Sequence, residues 1–483
     1  MTSSMYNSIQ HFNEFGVKRI EKKIKNFIEE GKDLADLVLG LKEDLFKLGR
    51  DILKEVLEDM DEYFRNCEIR KQYWEIIRKD KTAILTTFGT LSYNRTYFKH
   101  KENGNRQHLV DRIVGVEPHD RVSADVVINA IDEAADSSYR KAGEKATYID
   151  EISKQAVMNK IHNIEIVEPE IKVDKKREVK ILYVEADEDH VALQQKSILR
   201  QNEKGKRNTI MPKLVYVHEG IDFEKSNKKR KVLKNVRYFG GVYKNSEDLW
   251  LEVSEYIYKQ YDVDFLETVY ISGDGASWIR QGVNCLSKSK FVLDRYHLQK
   301  YVRVATTHLN DEAISQDLQE ALNLSDKKML TKVFKKIIEK TGDNENKIKA
   351  IKNAKRYILN NWDGIEIRSN RGIVGCSAEG HVSHVFSSRL SSRPKGWSRK
   401  GVEKMSKLII YKKNGGKVYD IVMAQKQKKL ASSRQEIQEK LIKELKKSSN
   451  RYESVWNSNL TVIHKGCKTG LYKELRRIIG ICG

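Results

Sequence analysis

Residues 180–187 have the sequence KILYVEAD, a nearly continuous apolar run that ends in acidic side chains. Such a run is typical of a central strand that is buried on both faces of a sheet. HVALQQKS (190–197) and PKLVYVHEGI (212–221) predict a second and a third strand, and a helix is expected at about 246–262. The opening run therefore predicts the start of an α/β core.

Two further strands complete this predicted core. ETVYISGDGASW (267–278) contains a strand that ends at Asp274, and KFVLDRYHLQKYV (290–302) contains a fifth strand that runs into a helix. The order is three strands, helix, strand, helix, strand, helix. This order predicts a mixed α/β layer architecture with a five-stranded sheet and flanking helices.

Acidic side chains follow two of these strands. Asp187 ends the first strand and Asp274 ends the fourth, and neighbouring strand ends form the crevice where open α/β sheets bind ligands. Two carboxylates brought together repel each other unless a cation lies between them, and hard oxygen ligands suit Mg²⁺ or Mn²⁺. Two such ions about 3.5–4 Å apart can stabilise an in-line phosphoryl transfer. The second ion requires a third carboxylate, for which Glu379 is the best candidate.

The local sequence does not choose Asp187 over its acidic neighbours Glu185, Glu188 and Asp189. Strand alternation places Asp187 on the same face as Glu185. In a chain with 68 acidic residues, a single Asp at a strand end is usually a turn or capping residue.

The chain is strongly basic, with 90 Lys and Arg residues against 68 Asp and Glu and a net charge of +22. The excess is local, because residues 1–80 carry 15 basic and 17 acidic side chains whereas residues 389–450 carry 18 and 5. A local excess predicts a polyanionic partner, since each neutralised phosphate releases counterions. The alternative is a merely soluble basic surface.

The five cysteines are scattered without a CxxC pair, which argues against a disulfide framework and a zinc finger. No apolar signal core opens the chain and no run of 18 apolar residues occurs, so we expect a cytoplasmic, nucleoid-associated protein without a membrane partner. No GxxxxGK[ST] loop occurs, which argues against nucleoside triphosphate use.

The N-terminal third is predicted to be helical, with one hairpin. Apolar residues recur at helical spacing from about 12 to 80, which predicts antiparallel or dimerising helices, and residues 83–98 alternate around a Gly turn as in a β-hairpin. Residues 121–163 are predicted to be helical. Within them, SSYRKAGEKATYIDEISKQAVMNKIHNI predicts a helix, a short turn and a second helix capped by Ser153. The outward side chains of that helix are candidate DNA contacts if this is a helix-turn-helix: Lys154, Gln155, Asn159 and Lys160. A plain packing hairpin is the alternative.

The C-terminal part combines a short acidic helix with a basic segment. Residues 305–365 are Lys-rich and helical, as expected of an insertion, and a short helix carries Glu379. A basic helical segment spans 400–447. An exposed Trp397 beside cationic residues would stack on an unpaired base, although most tryptophans are buried. Basic residues near it are candidate contacts to the DNA backbone: Arg389, Arg393, Lys395, Arg399 and Lys400.

Four motif blocks together resemble the bacterial ISLre-two family of insertion-sequence transposases, and more distantly the mutator-like transposases. These are ILYVEADEDHVALQ, ISGDGASWI, FVLDRYHLQKYV and GCSAEGHVSHVFSSRLSSRPKGWS, and the resemblance covers most of the chain. It implies an RNase H-like core in which Asp187, Asp274 and Glu379 are catalytic. The intervals between them are 87 and 105 residues.

The resemblance also implies a role for Asp294 and His297, which match a C/D-x-x-H signature and would flank the active site to orient DNA or a water molecule. The alternative is that His297 caps or packs its helix. The sequence departs from the family at Glu188, which stands where the family's first motif has glycine.

The implied activity is that of a DNA transposase with two Mg²⁺ or Mn²⁺ ions, which hydrolyses a phosphodiester at the transposon end and joins the freed 3′-OH to target DNA. Joining two ends predicts a homodimer or larger assembly on DNA. A non-catalytic DNA-binding protein and a structure-selective nuclease on the same fold are the alternatives.

The predicted regions follow the chain from its N-terminal helices to its basic C-terminal part. They are a helical region (1–82), a hairpin region (83–120), a helix-turn-helix-like region (121–165), the first core part (178–304), a helical insertion (305–370), the second core part with the Glu helix (371–400) and a basic helical region (401–483).

Overall fold

The chain forms two compact units. One unit comprises described residues of Met1–Glu165 and Val418–Gly483, and the other comprises those of Ile166–Lys417. The computed structural model describes residues 7–31, 33–168, 173–194, 208–228, 231–369, 373–393 and 395–429.

The first unit consists of helices around one antiparallel sheet. Its helices are α1 (Asn7–His11), α2 (Val17–Glu29), α3 (Leu34–Asn66), α4 (Glu68–Tyr73), α5 (Leu109–Val114), α6 (Ala124–Ala134), α7 (Tyr139–Glu144) and α8 (Lys154–Asn163), with a π-helix at Phe12–Gly16. Its strands are β1 (Trp74–Thr86), β2 (Gly89–His100) and β3 (Arg106–His108). Residues 418–429 are also helical. The predicted N-terminal helices are confirmed up to Tyr73, and the predicted hairpin is confirmed. Helix was wrongly predicted for residues 74–82, which belong to β1, because their pairing with β2 makes the hairpin longer than the alternating pattern indicated.

A buried carboxylate connects the long helix to the hairpin. Asp61 of α3 is 1% exposed and accepts hydrogen bonds from the backbone N–H and the hydroxyl of Thr96 in β2, at 2.8 and 2.6 Å. Buried polar groups require such partners. The hairpin therefore packs on α3 in a defined register.

The region around 121–163 contains three helices that pack against one another, α6, α7 and α8. Ser153 caps α8 as predicted, because its hydroxyl accepts from the Ala156 N–H at 3.2 Å. The predicted short turn was wrong, since residues 145–153 separate α7 from α8. This segment folds back over α7, where the Ile152 N–H donates to the Gly143 carbonyl at 3.2 Å.

The second unit is built on a mixed five-stranded sheet. Its strands are β4 (Ile181–Glu188), β7 (Lys213–His218), β10 (Arg237–Gly241), β11 (Thr268–Gly273) and β12 (Ser289–Leu293). They lie in the order β10-β7-β4-β11-β12. The central strand β4 is antiparallel to β7 and parallel to β11, while β10 is antiparallel to β7 and β12 is parallel to β11.

The second strand predicted from the sequence was wrong. Within 190–197 the described strand is only β5 (Val191–Ala192), which pairs with β6 (Thr209–Ile210) outside the main sheet, and β8 (Ile221–Asp222) pairs with β9 (Val232–Leu233). The third strand of the main sheet is instead β10, whose short RYFGG sequence carries no alternating pattern. Gly240 is needed there, because a Cβ atom would lie 2.4 Å from the Lys213 carbonyl oxygen.

Helices cover the sheet and form the predicted insertion. They are α9 (Ser246–Gln260), α10 (Ser277–Arg280), α11 (Gly282–Cys285), α12 (Arg295–Thr306), α13 (Glu312–Asn323), α14 (Lys327–Thr341), α15 (Glu345–Asn360), α16 (Trp362–Arg368), α17 (Ala378–Val382), α18 (Ser388–Leu390) and α19 (Arg399–Lys413). Thr307–Leu309 is a 3-10 helix and Ser383–Ser387 a π-helix. One buried cluster joins sheet residues such as Leu182 to insertion residues such as Phe334, so the insertion shares the core of the sheet.

The basic segment predicted as one helix over 400–447 is interrupted. Helix α19 ends at Lys413, and Gly415 adopts a φ of +84° before the helical residues 418–429. Residues 430–447 lie outside the described residues. Among the described residues, no helix has both the length and the apolar composition needed to cross a membrane.

Candidate active site

Asp187 and Asp274 lie side by side at the ends of adjacent parallel strands. Strand β11 pairs with β4 so that Ser272 is opposite Glu185, and Asp274 and Asp187 each follow two residues after this pair. The two acids are close enough for the charge of Asp274 to raise the pKa of Asp187, after burial as the largest cause. Gly273 permits the approach, because a Cβ atom there would lie 2.8 Å from the Ala186 carbonyl oxygen. The two acids predicted from strand ends are therefore brought together.

The negative charge of Glu379 acts on the carboxyl group of Asp187. Glu379 lies in the first turn of α17, a helix that contacts β4. The pKa of Asp187 is raised to about 6, first by burial and then by the negative charges of Glu379 and Asp274. Like charges disfavour ionisation of a neighbour only when they lie close to it. The three predicted carboxylates therefore share one electrostatic environment.

Asp294 and His297 border these carboxylates. Asp294 is 5% exposed and caps α12 by accepting from the Tyr296 N–H at 3.1 Å, and its Oδ2 lies 3.0 Å from Nδ1 of His297. The pKa of His297 is raised by that hydrogen bond foremost, and also by the charges of Asp274 and Asp187. Asp294, rather than His297, is the helix cap. His297 packs against that cap and is close enough to Asp274 and Asp187 for their charges to act on it.

The acidic neighbours of Asp187 have other environments. Glu185 is 2% exposed and is fully engaged by protein groups, as described below. Asp189 is 6% exposed and accepts from the hydroxyls of Ser387 and Ser391 at 3.0 and 2.8 Å. The pKa of Glu188 is raised by burial and then by the charge of Asp274, so Glu188 also borders the site. The geometry favours Asp187 as the first site carboxylate.

Sequence reasoning missed a buried polar network behind these carboxylates. Glu185 accepts a hydrogen bond from the Ser377 N–H at 2.6 Å and one from the Tyr216 hydroxyl, and its Oε1 lies 3.0 Å from Nε2 of His218. His381 stacks on the Tyr216 ring with centroids 4.2 Å apart. The only signal in the sequence was two acidic residues on one face of β4, which does not identify partners from other elements.

The helical insertion is attached to the loop that carries Asp274. The Tyr357 hydroxyl donates to the Asp274 carbonyl oxygen, and Arg280 binds both carboxylate oxygens of Asp363 at 3.0 and 2.7 Å. Gly275 has a φ of +86°, and a Cβ atom there would lie 2.2 Å from Oδ1 of Asn361. Insertion residues therefore define the shape of this loop.

The donor chemistry of the site fits a divalent cation. Carboxylate oxygens are the ligands that Mg²⁺ and Mn²⁺ prefer. The pKa of Asp187 is raised by burial first and then by repulsion from Glu379 and Asp274, and a cation would relieve that repulsion. Within the described ranges, however, no group of three or more His, Cys, Asp or Glu side chains is arranged so that it could hold a metal ion. Asp187, Asp274 and Glu379 are the candidate ligands, without a formed coordination shell.

The predicted contacts on α8 lie in the first unit. Lys154, Gln155 and Asn159 are exposed, and Gln155 donates to the Asn159 side chain at 3.1 Å. Lys160 is partly buried and lies 3.7 Å from Asp120. Three of the four side chains are therefore available at the surface.

The expectation of an exposed Trp397 was wrong. Trp397 is 6% exposed, its indole N–H donates to the Leu390 carbonyl at 2.9 Å, and the guanidinium of Arg389 lies 4.7 Å from its ring centroid. Arg389 is itself 4% exposed, so both side chains pack within the second unit and cannot contact DNA as predicted. A buried ring cannot be distinguished from an exposed one by its flanking charges.

The other predicted basic contacts remain accessible to different degrees. Arg393, Arg399 and Lys400 are exposed, and Arg399 pairs with Glu403 at 3.1 Å. Lys395 is partly buried, and its pKa is lowered by burial and then by nearby arginine charges.

Comparison with known proteins identifies one family. The model described as "Uncharacterised protein family (UPF0236)" matches residues 27–427. A UPF0236 protein of Caldanaerobacter subterraneus subsp. tengcongensis is 40% identical over 455 residues, covering 94% of this chain and 93% of that protein, and its name joins eleven locus designations. A second UPF0236 protein of that organism, named for four loci, is 40% identical over 454 residues with the same coverage. The UPF0236 protein in the vanSb 3′ region of Streptococcus gallolyticus is 24% identical over 417 residues, covering 82% and 86%.

Proposed function

The chain belongs to the UPF0236 family of uncharacterised proteins, and we propose that it is the DNA transposase of a bacterial insertion sequence. The observation that carries the proposal is the juxtaposition of Asp187 and Asp274 on adjacent strands with the charge of Glu379 acting on the same position. Such a set of hard oxygen donors suits phosphoryl transfer assisted by two divalent metal ions.

The strand order supports an RNase H-like assignment for the second unit. That fold places its first strand between an antiparallel pair on one side and two parallel strands on the other, which matches β10-β7-β4-β11-β12. In this arrangement the first and fourth strands are neighbours, so acids at their ends meet. The ISLre-two resemblance predicts catalysis at these two ends.

The names of the relatives support the proposal that the gene belongs to a mobile DNA element. One relative in Caldanaerobacter subterraneus carries eleven locus designations and a second carries four. Repeated insertion of an element produces the same protein at many loci of one genome, whereas DNA binding or cutting alone does not copy a gene to new loci. This observation favours a transposase over both alternatives.

In the proposed reaction, the oxygen of a water molecule attacks the phosphorus at the element end, and the bond to the 3′ oxygen breaks to leave a 3′-OH. The oxygen of that 3′-OH then attacks a target phosphodiester and displaces its 3′ oxygen, which joins element to target. Bound Mg²⁺ or Mn²⁺ would neutralise the negative charge that develops on the phosphate oxygens. Asp187, Asp274 and Glu379 would hold the two ions.

The remaining residues would position DNA. Asp294 fixes the imidazole of His297 beside the carboxylates, and a raised pKa favours its cationic form, which attracts phosphate oxygens. Positioning and charge neutralisation supply most of the barrier reduction in such a site. Because two element ends must be joined to one target, we propose a homodimer or larger assembly on DNA in the cytoplasm, associated with the nucleoid.

The test uses the full chain, Mg²⁺ and labelled duplexes taken from the DNA that flanks the coding region. Asp187→Asn, Asp274→Asn and Glu379→Gln should abolish strand transfer while DNA binding stays measurable. Glu255→Gln, at an exposed carboxylate of α9, is the matched control and should remain active. Cutting without joining would support the nuclease instead, and binding without either would support a non-catalytic DNA-binding protein.

A further inference from the structure

Charge is segregated among the insertion helices. Helix α13 carries three acidic side chains and no Lys or Arg, whereas residues 327–356, which span α14 and α15, carry 11 Lys and Arg against three acidic residues. Helices α13 and α14 contact each other, so the two charge types lie on neighbouring helices of one fold. On a surface whose charges serve only to keep the protein hydrated, acidic and basic side chains would be mixed.

The basic residues of α14 form a stripe away from the core. At 3.6 residues per turn, Lys328, Lys332 and Lys335 lie within one narrow sector of the helix. The opposite sector contains its buried residues, which are Leu330, Val333, Phe334 and Ile337. All three lysines are exposed.

Helix α15 repeats this arrangement. Lys349, Lys352 and Arg356 are exposed and share one sector, opposite the buried Ile351, Ala354 and Ile358. None of these three side chains, and none of the three α14 lysines, forms an ion pair with a carboxylate in the part of the chain that the structure describes. Lys336 and Lys340, outside the two stripes, pair with Asp317 and Asp311 at 3.8 and 2.7 Å.

The C-terminal end of the α15 stripe is next in sequence to a residue that contacts the loop carrying Asp274. Arg356 precedes Tyr357, whose hydroxyl donates to the Asp274 carbonyl oxygen. From Lys349 to Arg356 the helix rises by roughly 10 Å, at 1.5 Å per residue. Phosphates on one DNA strand advance by about 3.4 Å along the helix axis, so the stripe matches about three consecutive phosphates.

We propose that these two stripes form a DNA-binding surface that holds the phosphate backbone beside the scissile phosphodiester. We call it the insertion basic face, and it consists of Lys328, Lys332, Lys335, Lys349, Lys352 and Arg356. Its ligand is duplex DNA without regard to sequence, because lysine and arginine contacts to phosphate carry no base information. The proposal rests on the proposed function and adds a surface in the same unit as the carboxylates.

The test measures binding of the full chain to a random-sequence 30-base-pair duplex across a series of salt concentrations. The variant K349E/K352E/R356E should bind at least tenfold more weakly at 0.1 M salt. The slope of log affinity against log salt should become shallower by about 0.9 for each phosphate that the variant no longer neutralises, or about 2.7 for three phosphates. The neutral variant K349Q/K352Q/R356Q should shift both quantities in the same direction and by less.

The matched control is K225E/K244E/K259E, which makes the same charge change at three exposed lysines of this unit outside the insertion. It should leave the salt slope unchanged. If the control and the α15 variant weaken DNA binding equally, the loss is caused by the change in net charge and not by the position of the side chains, and the proposal is overturned. If the wild-type chain performs strand transfer but the α15 variant binds DNA with unaltered affinity and salt slope, the proposed DNA-binding surface is wrong. The proposed function is unaffected by that result. A wild-type chain that does not bind DNA would overturn both.

Discussion

The backbone N–H of Ser377 donates a 2.6 Å hydrogen bond to Oε2 of Glu185. Ser377 immediately precedes the helix that carries Glu379, and Glu185 lies two residues before Asp187 on β4. One buried carboxylate therefore connects the two elements that supply the first and third candidate ligands. The spacing of those ligands depends on a residue that need not touch DNA.

Glu185→Ala should disable the site by releasing this connection. It leaves buried groups of Ser377, Tyr216 and His218 without their acceptor, which costs about 3 kcal/mol of unfolding free energy. Displacement of Glu379 by about 1 Å should lower strand transfer by roughly 100-fold. Urea unfolding measures the loss of unfolding free energy. Joining of labelled ends, at a temperature where the variant stays folded, measures the loss of strand transfer.

Glu219→Ala is the matched control, because Glu219 is also a shielded carboxylate of this unit and binds Arg177 at 3.0 Å. It should lose stability but keep strand transfer close to wild type when both variants are folded. An equal reduction of activity in the two variants would show that Glu185 acts through stability alone.

Asp187 and Asp189 should differ sharply as asparagine variants. Asp187→Asn should abolish strand transfer, because it removes a charge from the group of three carboxylates. Asp189→Asn should retain most activity, since an amide oxygen can still accept from Ser387 and Ser391. The measurement is joining of labelled ends at equal DNA occupancy, and an active Asp187→Asn with an inactive Asp189→Asn would reassign the first ligand.

The sequence was sufficient for the elements whose patterns are local. The runs before Asp187 and Asp274 are apolar, and Asp274 is followed by Gly275. Four of the five main strands were therefore predicted, with Asp274 at a strand end. Ser153 was recognised as a cap from its position alone. In each case the stabilising groups lie within a few residues of one another.

The sequence was insufficient where the structure depends on distant partners. Strand β10 was missed because its short sequence has no alternating pattern and its Gly240 is required by the neighbouring strand, where a Cβ atom would overlap the Lys213 carbonyl oxygen. Trp397 was a candidate base contact because its sequence neighbours are charged, yet it is buried against Arg389. The role of Glu185 was hidden for the same reason, since its partner Ser377 is 192 residues away.

Gly275→Ala should destabilise the second unit by more than its backbone conformation accounts for. Gly275 and Gly415 have φ values of +86° and +84°, which cost an L residue about 1–3 kcal/mol. A Cβ atom at Gly275 also overlaps the Asn361 side chain, whereas the structure shows nothing within 4 Å of one at Gly415. Overpacking adds typically about 1–3 kcal/mol.

Gly415→Ala therefore isolates the conformational part, and the difference between the two variants in urea unfolding measures the contact with Asn361. Gly275→Ala should also lower strand transfer, because Gly275 follows Asp274. Identical unfolding free energies would mean that the loop moves away from the insertion at no cost.

The ion pair between Arg280 and Asp363 should stabilise the attachment of the insertion in a pH-dependent manner. Arg280 lowers the pKa of Asp363 below its ordinary value of 3.8, chiefly through its hydrogen bonds. A carboxylate with a lowered folded-state pKa contributes its full stability above that ordinary value and loses it as the pH falls through the folded-state value. The stabilisation should therefore be constant from pH 7 to about 5, begin to decrease near pH 3.8 and disappear below the lower folded-state pKa.

Asp363→Asn tests this dependence. Because the Asp363 side chain is 56% exposed, solvent screening limits the expected loss of stability at pH 7 to about 0.5–1 kcal/mol. The difference from wild type in urea unfolding, followed by tryptophan fluorescence, should shrink towards zero as the pH is lowered through 3.8. In an Arg280→Gln background the same substitution should have a clearly smaller effect, since the partner charge is gone and the backbone hydrogen bonds at the start of α16 are what still favour the charged carboxylate. A destabilisation of unchanged size in that background would assign the effect to other contacts of Asp363, and Arg280 would then hold the insertion through Asn360 and Asn361.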